Sequence, residues 1–131
     1  DRHRVSLHVS ALVAAGPPRF AVHGTHGSFV KHGLDAQEDA LKAGARPTWP
    51  PQPGWGHDPG AATLVTWQGD ALVARPAPTL PGCYSAYYGA LRDAILGRGP
   101  NPVTAEEALR VMQLIELGIA SDDQRRELSV A

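Results

Sequence analysis

The densest run of side chains able to do chemistry is Lys31-His32-Gly33-Leu34-Asp35-Ala36-Gln37-Glu38. A cation, two carboxylates and a carboxamide crowd together where a strand is expected to leave a sheet. Binding sites collect at such exits because the loop escapes the ladder while the scaffold holds it in place. The same residues have a plainer structural reading, with Asp35 and Glu38 capping a helix and Lys31 serving as a surface cation.

The remaining constellations are weaker. His23 and His26 lie three apart on a predicted hairpin turn, where side chains need not converge, and no acidic or cysteine ligand is close in sequence, so no metal site is assigned. His8 and His23 fall on predicted neighbouring strands and read as an imidazole pair. His57 beside Asp58 has the form of a general base with its orienting carboxylate, but no Ser or Cys nucleophile in a strained turn accompanies it. Gly24-Thr25-His26-Gly27-Ser28 lacks the order of a phosphate loop and leads into no helix, so it reads as a turn. Cys83 opens a predicted helix without a His or Asp neighbour, and Tyr84, Tyr87 and Tyr88 have the spacing of a packed helical stripe. No residue of the chain is assigned a catalytic role.

The elements that must position these groups follow from periodicity. Val5 to Val13 alternates apolar and polar residues and is predicted as a strand. Phe20 to His23 and Ser28 to His32 follow around the glycine-bounded turn, which gives an antiparallel meander. Leu34 to Lys42 is predicted as a short helix with Asp35 as N-cap and Gly44 closing it. Five prolines and three glycines with Trp49 and Trp55 between Ala45 and Gly60 predict an ordered loop. Thr63 to Trp67 and Ala71 to Arg75 flank a second turn. Tyr84, Tyr87, Tyr88, Leu91 and Ile95 mark one amphipathic helix. Ala108, Val111, Met112, Ile115 and Ile119 mark another, with Thr104 and Glu107 as its capping box. Glu127 to Val130 reads as a last short strand.

Composition narrows the function classes. The chain has 131 residues, enough for one core, and a net charge of -1, which leaves no basic stripe to neutralise a nucleic-acid backbone. No apolar run approaches the ~20 residues of a membrane span. The single cysteine, Cys83, makes no intrachain bridge, so a reducing, cytoplasmic setting is expected. The chain opens at Asp1 and its one methionine is Met112, which reads as a piece of a longer protein.

Phe20 to Ser28, Lys31 to Leu41, Trp55-Gly56, Tyr84 to Gly97 and Asn101 to Gly118 succeed one another in an order that resembles the C-terminal domain of the Gfo/Idh/MocA oxidoreductases. The likeness is to its YdgJ-like members, in which a strand, a glycine-bounded turn and a KxGxDxQE-type stretch follow one another. It runs from about Val5 to Val130. The resemblance implies an α+β fold: an open, mainly antiparallel sheet with helices packed on one face, the C-terminal half of a glyceraldehyde-3-phosphate-dehydrogenase-like architecture truncated at its N-terminus. It further implies an N-terminal Rossmann domain, absent from this chain, that holds NAD or NADP, with a lysine from an EKP motif near the nicotinamide.

No GxGxxG, EKP or DxGxH-type segment occurs in this sequence. The chain is therefore read as the substrate-binding and oligomerisation domain of an NAD(P)-dependent dehydrogenase acting on a hydroxyl or carbonyl carbon, of a sugar or polyol, and as inactive and cofactor-free by itself. Lys31, Asp35, Gln37 and Trp55 become the candidate substrate-binding residues, because a polyol needs convergent hydrogen-bonding groups and one apolar wall. The expected partners are a second copy, through the open sheet, and the small-molecule substrate. Nucleic acid and membrane are not expected. A non-catalytic dimerising module and a small hydrolase using His57 and Asp58 are the alternatives.

Overall fold

A computed structural model describes residues 3–33 and 35–130, which form seven elements. Strands β1 (Phe20–Gly24) and β2 (Gly27–Lys31) make a hairpin around Thr25-His26, and helix α1 (Ala36–Lys42) follows. Strands β3 (Ala62–Gln68) and β4 (Ala71–Ala77) make a second hairpin around Gly69-Asp70, after which come helices α2 (Tyr84–Ile95) and α3 (Ala105–Gln124). The sheet is wholly antiparallel in the order β1-β2-β3-β4, open at both edges, so the α+β class and open sheet read from the sequence are the fold.

Cross-strand partners share a face of the pleat. The pairs Val22↔Phe29 and Phe29↔Leu64 put these three side chains on one side, with Lys31, paired with Phe20, at its end. Trp67↔Leu72 and, two residues back, Val65 line the opposite side. The first hairpin is stitched by His23, whose Nδ1 lies 2.8 Å from the Ser28 Oγ on its paired position.

Two predicted strands are absent. Residues 5–13 are exposed and unpaired, since alternation selects a face but supplies no neighbour to complete a ladder. The segment instead runs beside α3. Arg4 Nε is 2.6 Å from Glu127 Oε1, and Leu7 Cδ1 is 3.2 Å from where a β-carbon on Gly118 would sit. The meander accordingly begins at Phe20, His8 is not on a strand facing His23, and β3 takes the second edge of β2. Glu127 to Val130 is likewise outside any ladder, following the left-handed Arg125 that ends α3. The predicted start of α1 at Leu34 lies outside the described residues.

Helix termini match their signals. Asp35 caps α1 by accepting the Gln37 N–H, although Glu38 turns to Lys42 at 2.9 Å instead of reaching back. Thr104 and Glu107 form a complete capping box on α3: the Glu107 N–H donates to Thr104 Oγ1 at 3.2 Å and the Thr104 N–H donates to Glu107 Oε2 at 2.9 Å.

The apolar stripes are another matter. Tyr84, Tyr87, Tyr88 and Ile95 on α2, and Val111, Met112, Ile115 and Ile119 on α3, are exposed rather than packed. Helix α2 meets the 46–60 loop through Gly89, which is buried and carries the Trp49 ring where a β-carbon would stand. Only that small residue admits an indole so close to the helix axis. Thr104→Ala is expected to lower the unfolding free energy by about 1 kcal/mol while Thr104→Ser stays near wild type, as read from denaturant midpoints followed by helical circular dichroism.

Candidate functional site

Three segments meet beyond the end of β2: the strand exit with the first turn of α1, the proline- and glycine-rich strap 46–60, and the entry to α2. Lys31 is the last residue of β2 and is buried despite its charge. Its Nζ lies 2.7 Å from Asp58 Oδ2 and also donates to the His32 carbonyl. The other Asp58 oxygen, Oδ1, accepts the Gly60 N–H at 2.7 Å. The hydrogen bond from Lys31, followed by that from the Gly60 backbone, holds the Asp58 carboxyl below its ordinary value of 3.8. Asp58, read from the sequence beside His57, thus has the Lys31 ammonium as its partner.

Beside this ion pair sits Gln37, with 1% of its surface exposed. A buried carboxamide must satisfy both its ends, and this one does so within the chain. Its Oε1 accepts from Trp55 Nε1 at 2.7 Å and from the Tyr84 N–H at 2.9 Å. Its Nε2 donates to Asp35 Oδ1 at 3.0 Å, and the same oxygen takes the Gln37 N–H at 2.8 Å. One orientation of the amide fits these partners, with the oxygen toward the two N–H donors and the nitrogen toward the carboxylate.

The closeness of the three segments demands glycine. A β-carbon on Gly82 would fall 2.2 Å from Asp35 Oδ2 and 2.5 Å from Gln37 Nε2, and one on Gly56 would fall on the Gly82 carbonyl. The Gly82 N–H donates to the Gly56 carbonyl at 3.1 Å, fastening the strap to the α2 entry.

The structure therefore brings Asp35, Gln37 and Trp55 into one hydrogen-bonded cluster. Lys31 stands in a second, joined to the first by the three-residue step from Trp55 to Asp58 along the strap. Gly82 and the Tyr84 amide were not singled out from sequence, while Asp58 was singled out only as the neighbour of His57 and Gly56 only beside Trp55. The only signal for them is the glycine-bounded run Gly54-Trp55-Gly56-His57-Asp58-Pro59-Gly60, which marks a tight loop without saying what it touches. Two shallow, open concavities of about 340 and 290 Å3 lie elsewhere, at Leu41 with Gly44–Pro47 and between α3 and Ser129-Val130. Neither concavity is lined by a residue of the cluster. Among the described residues no three His, Cys, Asp or Glu side chains converge as metal ligands.

A model of the oxidoreductase family's C-terminal alpha/beta domain, GFO_IDH_MocA_C, matches residues 3–130. The chain belongs to the Gfo/Idh/MocA oxidoreductases. It is 48% identical over 99% of its length to the uncharacterized oxidoreductase YdgJ of Escherichia coli (strain K12), covering 37% of that protein. It is 35% identical over 93% of its length to scyllo-inositol 2-dehydrogenase (NADP(+)) IolW of Bacillus subtilis (strain 168), covering 34% of it. The solved structure of YPO2259 from Yersinia pestis superposes with a TM-score of 0.79 at 50% identity, over 93% of this chain and 34% of that one. The chain thus spans about a third of the length of the relatives it matches.

Within this Gfo/Idh/MocA domain, the described sheet and α3 do not form a Rossmann-type dinucleotide cradle. The sheet has no parallel crossover, and the 20-residue α3 opens on a closed capping box with Glu106 and Glu107, whose charges repel a pyrophosphate. No helix among the described residues is long and apolar enough to cross a membrane.

The ion pair has a testable pH signature. Asp58 is held below its ordinary value, so its contribution to stability is complete above that value, declines as pH falls through it, and is gone once the folded carboxyl is protonated. The stability difference between wild type and Lys31→Met is expected to be constant at neutral pH and to narrow on acidification, in urea midpoints taken between about pH 6 and about pH 2. Asp58→Asn is expected to be more damaging than the Lys31→Met/Asp58→Asn pair, because it strands a buried ammonium.

Proposed function

We propose that this chain is the substrate-side and subunit-contact domain of an NAD(P)-dependent dehydrogenase that oxidises a secondary hydroxyl of a sugar or polyol. The observation that carries the substrate class is its 35% identity, over nearly the whole chain, to a relative named as a scyllo-inositol 2-dehydrogenase using NADP(+). Lys31, Asp35 and Trp55 form the wall that meets the substrate, with the buried Gln37 behind them: polar groups and an indole gathered at a strand exit, as a polyhydroxylated ligand requires. The nucleotide is assigned to protein outside this chain, since nothing in the antiparallel sheet cradles it.

The subunit contact is assigned to the open sheet and a second copy. Phe20 and Val22 are exposed on one face of the sheet, and Trp67 and Leu72 on the other. Exposed apolar groups of this size, next to unpaired edges at β1 and β4, favour a covering partner.

The full-length protein is expected to reduce NADP+ or NAD+ in the presence of cyclic polyols, followed by nicotinamide fluorescence across a panel of inositols, sugars and 2-hydroxy acids. Turnover confined to the 2-hydroxy acids, or none with either cofactor, overturns the substrate class. Lys31→Ala is expected to raise KM about ten-fold, the effect of one lost charged hydrogen bond, and an unchanged KM and kcat moves the pocket elsewhere. Sedimentation at micromolar concentration is expected to show dimers or larger species, and a stable monomer removes the subunit-contact role.

A further inference from the structure

We infer that Gln37 is a positioning residue: it never contacts the ligand but sets the place of the Trp55 indole by locking the strap 46–60 to the first turn of α1 and to the entry of α2. This deepens the pocket reading given above and rests on it for the consequence for substrate, while the lock itself can be tested without any substrate.

The inference comes from counting what the carboxamide can still do. A glutamine offers two acceptor positions and two N–H donors. Both acceptor positions of Oε1 are taken, by the Trp55 indole and the Tyr84 amide, and one donor of Nε2 is spent on Asp35. The residue is 1% exposed, and the remaining face of Nε2 is closed by Gly82, whose own hypothetical β-carbon would be 2.5 Å away. A hydroxyl of a ligand has neither a free acceptor nor a path to reach. Trp55 is different. It is half-buried, spends its only polar atom on Gln37, and leaves part of its surface accessible. An indole has one donor, so the partner of that donor fixes how the ring is turned about its side-chain bonds.

Neutrality matters to the same function. Were residue 37 a carboxylate, it would face the Asp35 carboxylate across 3.0 Å in a dry site. Were it apolar, the Trp55 and Tyr84 donors would lose their buried acceptor. An amide is the group that gives one oxygen to two donors and one N–H to an acid without adding charge.

The test uses the full-length protein. The Trp55 indole N–H resonance, assigned by its disappearance in Trp55→Phe, is expected to exchange slowly with solvent in wild type and at least about ten-fold faster in Gln37→Met. An unchanged exchange rate overturns the lock. Should Gln37→Met fail to fold, Gln37→Glu and its partner variant keep the question open to measurement. Gln37→Glu is expected to speed exchange by repelling Asp35, and Asp35→Asn/Gln37→Glu to slow it part of the way back, because the second change removes the like charge even though it also weakens the acceptor of the residue-37 backbone N–H. A double variant no slower than Gln37→Glu overturns the pairing.

With scyllo-inositol and NADP+ as probes, Gln37→Met and Trp55→Phe are each expected to raise KM roughly ten-fold with kcat nearly unchanged, and their combination to be no worse than either alone. Additive losses overturn the inference, since Gln37 would then meet the ligand independently. Fast indole exchange in Gln37→Met, together with an unchanged KM in all three variants, upholds the lock and refutes the pocket reading.

Discussion

The conformation of the 31–60 region depends on one buried carboxamide. Gln37 joins positions 35, 55 and 84, segments far apart in the chain, through a single side chain with almost no solvent contact. Ordering an irregular strap such as 46–60 costs backbone entropy that its prolines only partly offset. An apolar contact would hold it near α1 in several registers. A carboxamide with both ends satisfied holds it in one, because each bond constrains direction as well as distance, and leaving any donor unpaired in a dry site is costly. The Gly56–Gly82 contact depends on that arrangement and reinforces it. Either glycine given a β-carbon would push apart the segments that the amide draws together.

This polar economy explains an otherwise odd distribution of burial. Among the described residues Ala62 is the apolar side chain that is fully buried, while both long helical stripes face outward. The four strands are held by their ladders, the strap by hydrogen bonds and the Lys31–Asp58 pair, and α2 by the Trp49 ring on Gly89. What the described residues lack is the continuous apolar interior that a domain of this size ordinarily builds. The exposed faces of α3 and of the sheet are the surfaces on which such an interior would be completed, and their apolar content argues for contacts with further protein.

How far these features could be read from sequence depends on the range of the interaction that makes them. Hairpins at Thr25-His26 and Gly69-Asp70, the Asp35 cap and the Thr104–Glu107 box are written in residues within a few positions of one another, and all were legible. Residues 5–13 carry as regular an alternation as β3, yet form no strand, because a ladder needs a second chain segment that a local pattern cannot name. The stripes on α2 and α3 show the same limit: period tells which side is apolar, not what covers it. At the site, residue types were enough to gather Lys31, Asp35, Gln37 and Trp55 as candidates. They could not reveal that Asp58 would turn from His57 to Lys31, nor that the amide of residue 84 would be the second donor to Gln37. Those bonds span 27 and 47 positions and exist only once the strap has closed.

The two clusters divide one physical task. Lys31 and Asp58 bring opposite charges into a half-dry corner, where their mutual attraction is strong but the pair remains responsive to pH and to any ligand that competes for the ammonium. Gln37 brings no charge and responds to neither. An arrangement that fixes an indole beside an ion pair gains from having the two tasks on separate residues. The strap that carries both Trp55 and Asp58 then converts the rigidity of the first into the placement of the second. On this arrangement the neutral hub sets the geometry and the ion pair sets the electrostatics. Exchanging their chemistries would leave a carboxylate facing Asp35 in one place and an uncompensated polar group in the other.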